Sequence, residues 1–339
     1  MIEPLAVEKA EEIDSPAGKV RRTLATLGLD YSLLLFFVAL FLVLGIIYGA
    51  SFHVLGEGSI AIAVGAPLGL VAIRFFYRAR AILSDIPGAR SAFRASAGEI
   101  VRDWGPLIGI TIIFENLHNF TGTIRKFPID DQLYALDLKW FGVEPTVWIG
   151  KFAHPVLTDY FSFAYGLYFI LPMVLMVMMA MRGRRHDFRE MGSAIVIHMC
   201  VGFLLFIVFP AGPPRFYKPL LHGQFQPPFL SSALGLWEWS QTAWDSANSV
   251  VDHSSFPSMH CCLATLTLLY AWRFGDAVWP HRKRLYFWVA MPLVVSLWLS
   301  TIYLRHHWVP DCLAGIALGI ICFVITPKLR KVWPHNQRA

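Results

Sequence analysis

Eight stretches of this 339-residue chain are apolar over nearly the length of a bilayer crossing: residues 31–52, 59–77, 104–121, 158–181, 190–210, 258–273, 285–304 and 308–326. About 20 apolar residues in helical conformation traverse the hydrocarbon core. Inside lipid every backbone N–H and C=O must be satisfied within the segment, so runs of this length are expected as helices. The expected fold class is an all-α integral membrane protein with about eight transmembrane helices. Composition agrees, with 56% hydrophobic and only 15% charged residues, against about 25% charged in soluble domains. The third run is the least regular, because "FENLHNF" places Glu115, Asn116, His118 and Asn119 near its end.

Charge sets the expected orientation. With residue 1 inside and eight crossings, the inner segments are 1–30, 74–103, 182–189, 273–284 and 327–339, and they hold 22 of the 29 Lys and Arg. The other seven are Arg125, Lys126, Lys139, Lys151, Arg215, Lys218 and Arg305. This is the positive-inside pattern. The net charge of +6 therefore reports orientation and gives no reason to expect a nucleic-acid partner. Both termini are expected in the cytoplasm, and loops 122–157, 211–257 and 304–308 on the outer face. That face is periplasmic or extracellular in a bacterium, the reading favoured here, and a Golgi or endoplasmic reticulum lumen in a eukaryote. The first 30 residues are too long and acidic for a signal-peptide n-region, so the first apolar run is expected as a retained anchor.

The expected organisation is a tail (1–30), a two-helix anchor (31–77), a basic linker (78–103), a six-helix core (104–326) and a second tail (327–339). The outer loops are rich in proline and aromatics ("FPAGPPRFYKP", "LWEWSQTAW"), and Trp237, Trp239 and Trp244 suit an interfacial belt. The five cysteines lie in or beside apolar segments, show no zinc spacing, and read as small buried side chains.

Two outer-face stretches carry chemistry: "SSFPSMHCCLA" (254–264) and "STIYLRHHWVPDCLAG" (300–315). Each places histidine beside proline at a helix start, where Pro257 and Pro310 suit the first turn. Backbone N–H groups there favour an anion such as phosphate. His307 and Asp311, four apart, share one helix face. A carboxylate so placed can fix the imidazole tautomer, and the imidazole can attack phosphorus. His260 is the second histidine, able to protonate the leaving oxygen and then activate an acceptor. Ser258 can donate to phosphoryl oxygens.

The pattern P-S-x-H (Pro257, Ser258, His260) followed by H-x-x-x-D (His307, Asp311) resembles the phosphatidic acid phosphatase type 2 superfamily. That resemblance covers roughly 100–326 and implies a six-helix membrane enzyme working through a phosphohistidine on His307. "FPSMHCCLA", "STIYLRHHWVPDCLAG" and "GPPRF" are similar to stretches of the inositol phosphorylceramide synthase branch. Two departures stand out. The superfamily's first motif, Lys then Arg-Pro, is missing, with Arg215 the nearest basic residue in the right region. Where its third motif has Arg after Ser, this chain has Thr301, and Arg305 stands two residues before His307.

A phosphate monoester, close to dianionic, favours several cations, and a phosphodiester needs fewer. Few cations here favour a phosphodiester donor, and so transfer of a phospho-headgroup from a phospholipid to a lipid hydroxyl. The alternatives are a lipid phosphate or polyprenyl diphosphate phosphatase with water as acceptor, and a transporter without turnover. Arg215, Arg305 and His306 are candidate phosphate or substrate ligands, though arginines also snorkel to headgroups and His306 could be a mere neighbour. Two histidines and a carboxylate can hold a divalent ion, but the P-S-x-H context and the lack of further carboxylates favour chemistry without metal or cofactor. Asp252 and His253 read as loop hydrogen-bonders. Glu115 and His118 are functional candidates if within the bilayer, otherwise interfacial residues.

Overall fold

The computed structural model describes residues 16–49, 89–117, 124, 127–217 and 254–333. Among them the order is α1 (Pro16–Tyr48), α2 (Ala89–Asn116), α3 (Asp130–Phe141), α4 (Pro145–Gly150), α5 (Pro155–Met181), α6 (Arg185–Val208), the one-turn α7 (Pro214–Tyr217), α8 (Met259–Phe274), α9 (Leu285–Tyr303) and α10 (Val309–Val332). Among the described residues, five helices are long and apolar enough to cross a membrane: the Arg22–Tyr48 part of α1, α5, α6, α9 and α10. The molecule is an all-α integral membrane protein.

Five expected crossings therefore coincide with such helices. The run at 258–273 forms α8, which is shorter at 16 residues. The run at 59–77, the tryptophans 237, 239 and 244, Asp252, His253 and His118 lie outside the described residues, as does the side chain of Glu115. Two elements start earlier than hydropathy suggests. Helix α1 begins at Pro16 and kinks at Gly28, whose φ of 78° is open to glycine at little cost. Helix α2 begins at Ala89, inside the stretch read as linker. Polar residues there remain helical because they pair across the bundle: Arg102 with Asp30 of α1 (3.5 Å), and Asp103 with Arg189 of α6 (2.7 Å).

Helix α8 is the hub, packing on α10, α9, α5 and α6, while α2 and α1 lean on α6. One core joins Leu175, Met179, Met191, Ala194, Leu266, Tyr270, Val294 and Leu297. A second joins Phe37 and Phe41 of α1, Ile110 and Ile113 of α2, and Phe203 of α6 to Met259. The close fit of α8 to α10 depends on glycine. A Cβ on Gly319 would stand 2.8 Å from the Cys262 carbonyl, and one on Gly315 would collide with the Ser258 carbonyl. Small residues of this kind let membrane helices approach backbone to backbone.

The helix directions sort the bundle into two ends. One end carries arginines in ion pairs, such as Arg273 with buried Glu190 (2.8 Å) and Arg184 with Asp276 (2.9 Å). Helices α8 and α10 start at the opposite end, where α6 and α9 finish, and the short helices α3, α4 and α7 lie there.

Candidate functional site

Three segments meet at that second end: 210–217, 254–258 and 304–311. Ser255 N–H donates to the Ala211 carbonyl (2.8 Å), and Ser258 N–H donates to the Asp311 carbonyl (3.0 Å). Buried Trp308 clamps the third segment to the first through its indole N–H on the Gly212 carbonyl (3.1 Å). Its ring rests against Tyr134 and Tyr217. Gly212 N–H in turn donates to Asp130 at the start of α3 (2.8 Å).

Helix starts set the two motifs. Ser258 is the N-cap of α8, its Oγ accepting from Cys261 N–H (3.3 Å). Pro257, expected inside the first turn, precedes this cap, because the serine side chain closes the turn instead. Pro310 does fall in the first turn of α10. The capping serine keeps an O–H to donate.

Helix α9 ends in a tight reversal. Arg305 N–H donates to the Ile302 carbonyl (3.0 Å) and His306 N–H to the Thr301 carbonyl (2.9 Å). This pairing is a Schellman motif, whose left-handed residue is usually glycine. Here that residue is Arg305, at φ 58°. The Thr301 carbonyl also accepts His307 N–H (3.2 Å), so the position where arginine was expected works through its backbone.

The reversal brings His307, Asp311 and His260 together. His307 Nε2 lies 3.3 Å from His260 Nδ1. His307 Nδ1 lies 3.6 Å from Asp311 Oδ2, too far for a direct hydrogen bond. Ser255 fills the interval: its Oγ is 3.2 Å from His307 Nδ1 and 3.2 Å from Asp311 Oδ2. Asp311 is fully buried, and its Oδ2 also accepts Trp308 N–H (3.1 Å).

The remaining candidates sit around this group. His306 stacks on Tyr165 of α5, at 4.5 Å between ring centroids. Burial, with Arg215 and the two other imidazoles nearby, holds His306 well below histidine's ordinary pKa. Arg215 is the second residue of α7, its backbone N–H donating to the Arg305 carbonyl (3.4 Å). The Arg305 guanidinium turns toward α4, with Nη2 at 3.1 Å from where a Gly150 Cβ would be and within the field of Glu144. Asp137 of α3 is buried, and its Oδ2 accepts Val309 N–H at the start of α10 (3.4 Å). Burial, reinforced by Glu144, pushes Asp137 up to about 7. Among the described residues, no group of three or more His, Cys, Asp or Glu is arranged to hold a metal ion.

Sequence reasoning missed Ser255, Tyr165 and Trp308. Ser255 lies inside a quoted stretch but carries no charge to mark it. Tyr165 lies in the middle of an apolar run, where an aromatic reads as packing.

Two imidazoles in contact, backed by a buried carboxylate at the mouth of a membrane bundle, are the equipment of a phosphoryl-transfer enzyme. The chain belongs to the PAP2 superfamily, whose family model matches residues 131–325. It is 30% identical over 185 residues to the inositol phosphorylceramide synthase of Candida albicans, covering 51% of this chain and 36% of that protein. It is 33% identical over 137 residues to the inositol phosphorylceramide synthase catalytic subunit of Schizosaccharomyces pombe, covering 38% of this chain and 30% of that protein. The corresponding subunit of Saccharomyces cerevisiae is 33% identical over 134 residues, covering 37% and 31%. The matched region thus spans about a third of these relatives. No solved structure matches the chain. The expected family is the one matched, and the relatives carry the name of the expected branch.

Proposed function

We propose that the chain moves a phospho-headgroup from a membrane phospholipid to a lipid hydroxyl through a phosphohistidine on His307. The observation that carries this reading is the line Asp311–Ser255–His307–His260. The buried carboxylate and the serine hold Nδ1 of His307 protonated, which leaves the Nε2 lone pair to attack phosphorus. His260 gives its proton to the departing alkoxide, and the P–O bond breaks as the P–N bond forms. His260 then takes a proton from the acceptor hydroxyl, whose oxygen displaces His307. Ser258, Arg215, Arg305 and His306 are the proposed phosphate and headgroup ligands.

The starts of α8 and α10 are tied together by Ser258 N–H on the Asp311 carbonyl, and the dipoles of helix N-termini favour an anion beside them. A site with only Arg215 and Arg305 as nearby cations among the described residues suits a singly charged phosphodiester better than a monoester. The names of the relatives support the same headgroup transfer. The six-helix core at 104–326 and the two-helix anchor at 31–77 belong to this reading, as do cytoplasmic termini and a site on the outer face. A lipid's phosphorus lies at the depth of the helix starts, so the nucleophile meets it there.

The test uses the full chain in liposomes of mixed phospholipids and lipid alcohols, with chelator. Free phosphate and new lipids are followed by mass spectrometry in wild type and His307→Ala. A new phosphodiester lipid without free phosphate, lost in the variant, is the expected result. Free phosphate lost in the variant makes the protein a phosphatase. Equal output from both proteins removes the phosphohistidine.

A further inference from the structure

Tyr165 belongs to α5, a helix that supplies none of the residues in the two motifs. Its ring nevertheless stacks on two of the three histidines. The centroid of His260 lies 4.6 Å away with the planes 29° apart, and that of His306 lies 4.5 Å away with the planes 22° apart. Tyr168, three residues further along α5, adds a second ring against His260 at 4.4 Å. The two tyrosines form an aromatic shelf that supports the imidazole of His260 from the α5 side. Leu167 and Leu171 on the same helix are buried in the core, so the shelf cannot drift.

A stacked ring does two things for an imidazole. It fixes the ring plane, and so the direction in which the N–H points. It also favours the charged form, because the negative face of a phenol attracts a cation more than a neutral ring, most of all where water is excluded. A general acid needs both, since it must hold a proton and aim it.

We propose that Tyr165 is a positioning residue, whose ring face favours the charged form of His260 and aims it while seating His306 beside the same phosphoryl group. This rests on the reading of His260 as the general acid. The titratable groups facing His260 are His307, in contact through Nε2, and the two tyrosines. His306 reaches it through Tyr165 and directly as a neighbouring charge, with Arg215 beside His306. Any of the cations among these would drive the proton off His260, and the shelf opposes that.

The experiment measures kcat and KM against pH for the full chain in liposomes, in wild type, Tyr165→Phe, Tyr165→Leu and Tyr165→Met. Methionine keeps the apolar packing against Phe161 and Tyr303 without a ring. Phenylalanine keeps the ring face and is expected to stay within about threefold of wild type at every pH. Leucine and methionine are each expected to lower kcat about tenfold, with KM little changed. Their alkaline limb should move to lower pH by about half a unit or more, because the acid loses its proton sooner. An alkaline limb that stays in place in both ringless variants overturns the proposal, as does a phenylalanine variant as slow as the leucine one. His260→Gln is measured alongside: if it turns over like wild type, the reading of His260 as the acid fails on its own account.

Discussion

His307 Nε2 and His260 Nδ1 are 3.3 Å apart, although 47 residues of sequence separate them. Two imidazoles at that distance share one hydrogen, whether or not His260 carries an extra proton. The partners behind His307 decide which ring donates. Ser255 can donate to Asp311 or to the His306 carbonyl (3.1 Å), and the charge of the carboxylate makes the stronger bond. Ser255 then accepts from His307 Nδ1, Nε2 is left bare, and His260 is the donor. The network thus assigns the tautomers.

An alkaline limb follows from the proposed mechanism, in which His260 must carry its proton to act as the acid. His260→Gln should lower kcat by about 10²–10⁴-fold and abolish that limb. A pH–rate profile of that variant with the limb intact would assign the acid elsewhere.

Ser255→Ala tests the bridge. With 3.6 Å between Nδ1 and Oδ2, removal of the hydroxyl leaves His307 without a close partner for its N–H. We expect kcat to fall about 10–10³-fold with little change in KM, and stability to drop by about 1–2 kcal/mol as Asp311 loses a donor. Ser255→Thr, which keeps the hydroxyl, should recover most of the rate. Unchanged kcat in the alanine variant would mean that His307 and Asp311 close the gap themselves.

Most of the bundle was legible because hydrophobic length is read directly from the chain: α5, α6, α9 and α10 fall where the apolar runs do. His260, His307 and Asp311 converge as their spacing and shared side implied. What escaped was held by tertiary contact. Helix α3, "DDQLYALDLKWF", has mixed polarity and forms because Asp130 and Asp137 accept backbone N–H groups from other segments. The start of α2 is helical because Asp103 meets Arg185 and Arg189. Ser255 and Tyr165 acquire their places only when α5, α8 and the 304–308 turn come together, which no local pattern encodes.

Arg305 occupies a backbone position that suits glycine. A non-glycine residue there costs roughly 1–2 kcal/mol. Its persistence in a turn that holds His307 points to use of the guanidinium. Arg305→Gly should therefore retain thermal stability to within a few degrees while losing at least about tenfold in kcat/KM, mostly through KM. A variant with wild-type kinetics would make Arg305 a packing residue.

Asp137 makes the docking of α3 on α10 depend on pH. Its folded pKa, about 7, lies above the ordinary carboxylate value of 3.8. The folded state therefore holds the proton more tightly than the unfolded state. That stabilisation is fully present below the unfolded pKa and is lost as pH rises through about 7. Thermal unfolding in detergent should give a Tm a few degrees higher at about pH 5 than at about pH 8. Asp137→Asn, which cannot ionise, should remove that part of the slope. An identical slope in the asparagine variant would place the pH dependence in another group.

Gly315 is where a single methyl should do the most damage. Its Cα faces the Ser258 carbonyl and Cys261 of α8, and a Cβ there would run into backbone that cannot rotate away. The helices would have to separate, stretching the Ser258 N–H bond to the Asp311 carbonyl that sets the two motifs against each other. His260 rides on α8 and Asp311 on α10, so the separation reaches the proposed acid and the carboxylate behind His307 directly. Misplacement of reacting groups by 1 Å costs about 10²-fold. We expect Gly315→Ala to lose about that much in kcat and to unfold at a lower temperature. Gly98 of α2, with open space around it, provides the comparison. Gly98→Ala should leave turnover unchanged and raise stability slightly, through helix propensity. Equal behaviour of the two variants would show that α8 and α10 tolerate a wider spacing, and that the approach at Gly315 does not set the geometry of the site.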